Sequence, residues 1–550
     1  MRIWTNRDDK GALSMVSRIN WKSEFLALSH RYADRVAVED AEGPTTYAAL
    51  FGKAAGVAAA IAEHAAAAGG LSGGAVASYL PNSRDAVAAS YGTVLSGEPE
   101  AALNPNLAPD DMRHCLETAN ARLLITRSPQ AAEVAASIPG LKVLDIDAIG
   151  SASLSDLPER SPPADGFGKI LFTSGTTGKP KGIVHTQGGR WLANLALRSS
   201  LPFAPGADLN LLLLTPFSHG SSLLTYAYLD GGATITLLDR VDVPDIARRI
   251  ESQGVNQIFA PPTVLRKLVD GLDGQRIETV KTIFSGTAPL SRDVYERARA
   301  IFGPVVRITY GKTEIFNPIT ILAPDETDQW FQNEDTAAGT CVGWPGPGVE
   351  VRIGTDTADD ASDIRDSSGS ASVAESADEA RRGPVLIRAR HGYGGMLREG
   401  VFHPNDEDAF HRSEDIGFVD AIGRLHLTGR EASVIKSGGY RISPEEIEAY
   451  LQPAAPELDL AIVGLPSEYW GEVITCVAAG VESGWEHRIE DAMARLTKYK
   501  RPRLFVGLPS LPRNAIGKIM RNDIIAQILA GHTLIDGPYP ALEPRSDAKE

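Results

Sequence analysis

The chain has 550 residues, an ordinary 43% apolar content and a formal net charge of -16. Its length predicts two to four structural units. Net acidity argues against nucleic acid as a general partner, because phosphate backbones are bound by Lys and Arg, but it leaves room for a nucleotide pocket, which needs only local donors. No run of about 18 apolar residues is present, so no membrane span is expected.

From the N-terminus, Met1 to Trp21 lacks the apolar core of a secretion signal or anchor. Cys115, Cys341 and Cys476 are too few and too scattered for a disulfide framework or a zinc site. A cytoplasmic enzyme is the expectation. Thr45–Ala65 is alanine-rich with helical spacing. Ala75–Pro81, Ala121–Thr126, Gly232–Asp239 and Asn256–Pro262 then read as short buried strands among helices. Apolar strands alternating with helices predict an α/β fold with substantially parallel sheets.

Between Ala121–Thr126 and Gly232–Asp239 runs FTSGTTGKPKG, Phe172–Gly182. Glycine there costs backbone entropy, and a bound phosphate would offset it. The P-loop pattern fails: Thr173 stands where its first glycine belongs, and Pro180 follows Lys179. The next residues, Ile183-Val184-His185-Thr186, favour a strand over a helix. Backbone N–H groups and hydroxyls could still cradle phosphate, with Lys179 and Lys181 as counter-charges. A solvated turn is the alternative at this point.

Residues 354–382 hold eight acids and three arginines among small residues, and predict a disordered loop. A boundary is expected near Gly429-Arg430-Glu431, which gives a large domain, 1–430, and a small one, 431–550. In the latter, Ser443 is predicted as an N-cap, Pro444 as the first helical residue and Glu446 as the closure of a capping box.

The glycine loop resembles the T-S-G-T-T-G-x-P-K-G signature of the acyl-adenylate-forming superfamily, and Thr173–Gly182 matches every fixed position. Further segments resemble the family's motifs in its order: Thr215–Gly220, Ala260–Leu265, Phe284–Ser291, Tyr310–Glu314, Gly339–Ile353, Ser413–Arg430 and Pro512–Arg521. The resemblance covers nearly the whole chain, from about residue 25 to 530. The resemblance implies a large N-terminal domain of α/β subdomains with a small barrel-like portion, followed by a small mobile C-terminal α/β domain. It implies two half-reactions: a carboxylate attacks ATP to give an acyl-adenylate and pyrophosphate, then a thiol, usually of coenzyme A, displaces AMP.

The resemblance also implies roles for individual residues. Thr173, Ser174, Gly175, Thr176, Thr177, Gly178, Lys179 and Lys181 would hold the outgoing phosphates. Gly286, Thr287 and Ala288 would border the nucleotide and acyl pocket. Tyr310 would stack on adenine beside Gly311. Thr313 would bond the α-phosphate and Glu314 would hold Mg²⁺, a cation that takes oxygen ligands. Asp415 would bond the ribose hydroxyls with Arg430 as its cationic partner. Lys518 would bridge the acid's carboxylate and the α-phosphate. His219 would gate the thiol tunnel, which Gly438 and Gly439 would line.

Some positions depart from the pattern. The hinge carries Ala432 and Ser433 in place of the usual charged residues, and Pro384, which cannot donate to a ladder, predicts an edge or strand start. Phe217-Ser218-His219-Gly220 has no acid to hold an α-amino group, which disfavours amino acids. Thr287, where Gly or Ala is usual, would narrow the acyl pocket and favour an aryl or medium-sized acid. Lys312 would meet a second acidic group on the substrate, or else point to solvent or phosphate. The rival readings are transfer to an acyl carrier protein or another nucleophile, a generic nucleotide-binding ATPase, and an inactive scaffold.

Overall fold

The structure is a computed structural model that describes residues 18–67, 74–173, 180–333, 339–354, 382–406, 408–438, 440–496, 498–514 and 518–545. The acidic segment read as a loop lies, from 355 to 381, outside them.

The largest sheet contains a parallel run in the spatial order Val306–Tyr310, Thr282–Ser285, Gln257–Phe259, Asn210–Leu213, Thr234–Leu237 and Val36–Asp40. These strands are nearly continuous apolar runs because helices cover both faces of a parallel sheet. The strand Val306–Tyr310 leads through Thr320–Leu322 into antiparallel strands Thr340–Pro345, Leu425–Arg430, His411–Val419, Gly383–Ala389 and Val349–Ile353. This antiparallel run stands where the barrel-like portion is expected. Pro384 is the second residue of its strand, which has neighbours on both sides, so it marks a strand start rather than a sheet edge.

A second sheet is parallel through Phe167–Thr173, Glu100–Leu103, Val76–Tyr79, Leu123–Thr126 and Lys142–Asp145. Lys181–Thr186 adds to it antiparallel to Phe167–Thr173, with Thr173 opposite Lys181. The sequence preference for a strand after the glycine loop is thus realised.

A buried ionic cluster lies where helix Gln187–Ser200 packs on this sheet. Glu100 meets Lys169 at 3.1 Å and Arg190 at 2.8 Å, and all three are almost fully buried. Ser90 donates to Glu100 at 2.5 Å, and Arg190 donates to the Tyr226 hydroxyl at 2.5 Å. Two cations thus share one carboxylate. Burial opposes ionisation of Glu100, yet Lys169 and Arg190 hold its carboxyl below the ordinary value. Burial pulls the Lys169 amine down to about 8.

The C-terminal region has its own sheet: Ile435–Ser437, Tyr440–Ile442, Leu460–Ser467, Gly471–Ala479 and Leu504–Leu508. Alternation splits the strand Leu460–Ser467 between two cores. Leu460 and Ile462 pack with Ile447 and Leu451 of helix Pro444–Leu451, while Val463 and Leu465 pack with Ile524 and Ile528 of helix Arg521–Gly531. Each such side chain contributes roughly 1.5–3 kcal/mol on burial. Ser443 caps helix Pro444–Leu451 as expected, accepting from the Glu446 amide at 3.4 Å. The return half of the box is diverted, because the Glu446 carboxylate is held by Lys500 at 2.6 Å. A hairpin, His532–Ile535 with Ala541–Pro544, closes the described chain.

Candidate active site

The strand Val306–Tyr310 ends at Tyr310, and Gly286 follows directly on Thr282–Ser285. Both positions lie at the carboxyl edge of the parallel run, where open α/β sheets bind ligands. A Cβ at Gly286 would come within 2.5 Å of the Thr309 carbonyl oxygen, so only glycine allows this approach between neighbouring strands. Thr287 adopts φ +72°, a left-handed conformation that is strained for a β-branched residue. Thr287 and Ala288 are both exposed.

Asp415 is the hub of the site. It is buried and stands opposite Arg430 across antiparallel strands, with Arg430 Nε 3.2 Å from its Oδ1. The Tyr310 hydroxyl donates to Asp415 Oδ2. Burial first, and the adjacent carboxylate second, raise the Tyr310 hydroxyl well above its ordinary value, so it remains a donor. Lys312 completes the set: its amine donates to the Ser413 carbonyl and lies 3.3 Å from Asp415 Oδ2. Lys312 thus faces neither a second substrate acid nor solvent. Its side chain is only 10% exposed and is committed to Asp415.

Beside the hub, Gly311 leads to Thr313 and Glu314. Glu314 Oε1 lies 3.8 Å from Lys181 Nζ, so the carboxylate and the second lysine of the glycine loop face each other. The Thr313 carbonyl is held by His185 at 2.7 Å, and the Glu314 carbonyl accepts from the Tyr393 amide at 2.9 Å. His185 is fully buried and stacked on Phe316 at 3.6 Å. Burial lowers it to about 3, so it is neutral and donates through Nε2. The strand that leaves the glycine loop thereby holds the adenylate motif in place.

Lys518 comes from the C-terminal region. Burial first, then Arg430 and Arg521, draw its amine down to about 8, against the opposing pull of Asp415 and Glu445. Its amide is held by Asn514 Oδ1 at 2.9 Å. Gly438 sits at φ +59°, where its missing Cβ would meet the Trp470 ring at 3.2 Å.

Ser174, Gly175, Thr176, Thr177, Gly178, Lys179 and Gly439 lie outside the described residues. His219 falls in the π-helical turn Phe217–Ser221, a geometry frequent at functional sites; its side chain is outside the described set. Two supports were not read from sequence. Asn82 accepts from the Phe217 amide at 2.8 Å and donates to Thr215 and Leu238 carbonyls at 3.0 Å, which clamps that turn. His185 is the other, and its place after the glycine loop was the available signal.

Tyr310, at the carboxyl end of the parallel run, and Asp415, Arg430 and Lys312 around it bring together residues that the motifs place at the nucleotide. The sequence model of the AMP-binding enzyme family matches residues 26–363, and the chain belongs to that family. Among curated proteins, 2-succinylbenzoate–CoA ligase of Bacillus licheniformis is 26% identical over 509 residues, covering 92% of this chain and 99% of the relative. The 4-chlorobenzoate–CoA ligase of Pseudomonas sp. CBS-3 is 27% identical over 468 residues, covering 82% and 83%. Among solved structures, Bacillus subtilis o-succinylbenzoate CoA synthetase in complex with its acyl-adenylate intermediate superposes with a TM-score of 0.75 at 23% identity, covering 92% of this chain and 98% of that one. An amide bond synthetase of Marinactinospora thermotolerans gives 0.76 at 23% identity, covering 92% and 100%. These superpositions establish the fold: a large N-terminal region of α/β sheets followed by a small C-terminal α/β domain.

Proposed function

We propose that this chain activates a carboxylic acid with ATP, releases pyrophosphate, and transfers the acyl group to coenzyme A. ATP and Mg²⁺ enter as substrates. Glu314 offers Mg²⁺ one carboxylate, which suits an ion that completes its shell with phosphate oxygens and water. Thr173–Lys181 cradles the departing phosphates, Thr313 bonds the α-phosphate, and Tyr310 stacks on the adenine. Asp415 takes the ribose hydroxyls while Arg430 and Lys312 keep it oriented. Lys518 stabilises the charge that builds between the acid's carboxylate and the α-phosphate.

The second half-reaction uses the small domain, residues 431–550, which rotates about Ala432–Ser433 to bring Gly438 and Gly439 to the thiol, past His219. An aryl acid is the favoured substrate class, supported by the acids in the names of the related ligases. The enzyme acts in the cytoplasm; among the described residues no helix is long and apolar enough to cross a membrane. A carrier protein or another nucleophile is the second reading of the acceptor, favoured by the likeness to an amide bond synthetase.

The observation that carries the proposal is the buried Asp415 held by Tyr310, Lys312 and Arg430. The test is pyrophosphate and AMP release over a panel of aryl and aliphatic acids, with and without coenzyme A. Lys518→Ala is expected to lower pyrophosphate release about 100-fold or more while sparing thioester formation from a supplied acyl-adenylate. Undiminished release in the variant, or ADP as the product of the wild type, overturns it.

A further inference from the structure

The hairpin His532–Ile535/Ala541–Pro544 lies beyond the last family motif, and its two edges do different things. Leu534 and Leu542, opposite each other in the hairpin, pack into the apolar cluster of Ile524, Ile528 and Leu465. That contact anchors it. The connecting turn reaches elsewhere. Asp536, which is exposed, accepts from the Ser467 hydroxyl at 2.6 Å, the Glu468 amide at 2.6 Å and the Tyr469 amide at 3.1 Å. Next to it, the Gly537 carbonyl accepts the Trp470 indole N–H at 2.9 Å. All four bonds end on the turn between Leu460–Ser467 and Gly471–Ala479.

That turn holds the glycine loop of the small domain. The Trp470 carbonyl accepts from the Gly438 amide at 2.8 Å, and Ser437 pairs with Gly471. A Cβ at Gly438 would stand 3.2 Å from the Trp470 ring, and the left-handed φ there favours glycine in any case. Arg503 covers the Trp470 ring at 3.8 Å. A continuous path of hydrogen bonds therefore runs from Asp536 and Gly537 through residues 467–470 to Gly438.

We propose that the C-terminal hairpin is a brace, with Asp536 as its positioning residue, that fixes the Gly438 loop for transfer of the acyl group to the thiol. This rests on the second half-reaction proposed above. Asp536 touches no substrate; it acts through Trp470. A hairpin that merely stabilised the small domain would affect both half-reactions alike, since Lys518 belongs to the same domain. A brace affects only the step that uses the loop.

The experiment compares the wild type with Asp536→Ala and Asp536→Asn in the full chain. Pyrophosphate release without coenzyme A, the KM for coenzyme A, and hydrogen exchange at the Gly438 amide are measured for each. Loss of hydrogen bonds to an ionised acceptor should raise both the KM for coenzyme A and the exchange rate about tenfold in Asp536→Ala, with pyrophosphate release within about twofold of wild type. Asp536→Asn keeps an oxygen for the Glu468 and Tyr469 amides and should recover most of the loss. Equal loss in both half-reactions, an unchanged KM for coenzyme A, or unchanged exchange at Gly438 overturns the brace. Failure of the wild type to use coenzyme A at all overturns the second half-reaction instead, and the exchange comparison still decides whether the hairpin holds the loop.

Discussion

Replacing Lys312 by methionine removes the amine while keeping an apolar stem of similar length. In the structure that amine serves the Ser413 carbonyl and Asp415 Oδ2, the latter at 3.3 Å. Both partners are nearly buried, with side chains 10% and 6% exposed, so solvent screens the pair little. A hydrogen bond to a charged group contributes about 1.5–3 kcal/mol, and the 3.3 Å separation argues for the lower end. Tyr310 and Arg430 remain on Asp415, so the carboxylate is held from two sides rather than three. If Asp415 takes the ribose hydroxyls, about 1.5 kcal/mol of lost orientation appears as roughly a tenfold rise in the KM for ATP. The assay is pyrophosphate release with ATP and acid varied in turn. A rise in the KM for the acid with the KM for ATP unmoved would refute the argument. It would return Lys312 to the substrate-facing role that its variable position in the motif suggests.

Two further outcomes follow from groups held away from their usual state. Lys518 is charged below about 8 and neutral above it, because burial and then Arg430 and Arg521 oppose its proton. The kcat/KM for ATP in adenylation should therefore fall as pH rises through that value, and Lys518→Arg, which stays charged, should lose the fall along with most of the rate; a flat wild-type profile to about pH 9.5 would contradict it. Thr287→Gly should stabilise the protein by about 1 kcal/mol, since relief of a left-handed β-branched residue exceeds the added backbone entropy. Equilibrium denaturation checks this, and a loss of stability would mean that the threonine side chain makes a contact worth more than its strain.

Sequence was most legible where a residue's neighbours along the chain determine its surroundings. Apolar runs such as Leu123–Thr126 and Thr234–Leu237 are buried strands because a parallel sheet covers both faces. Asp415 and Arg430 could be paired because their motif fixes the strand register that sets them opposite each other. Lys312 was misread because its partner is supplied by a strand about a hundred residues away, and nothing local distinguishes an amine facing Asp415 from one facing a substrate. Glu446 has the right spacing for a capping box, but Lys500, a stronger partner than a backbone amide, takes its carboxylate. The C-terminal hairpin carries a turn signal in Asp536-Gly537-Pro538, yet its flanking four-residue strands are too short for alternation to register. Asn82 gives no signal, since its three partners lie on other elements.

The cluster of Glu100, Lys169 and Arg190 constrains how this lineage can change. Loss of Glu100 alone would strand two buried cations, and loss of either cation would leave the remaining charges with an altered and poorly compensated field. Breaking a buried pair from one side costs about 3–5 kcal/mol, a large share of the roughly 5–15 kcal/mol that holds a folded protein together. Replacing the whole group by apolar residues of matching volume can be neutral or better. Both ends of that path can be stable, while each single step between them costs several kcal/mol. Once assembled under helix Gln187–Ser200, the cluster is costly to change one residue at a time, because each single replacement leaves a buried charge poorly compensated.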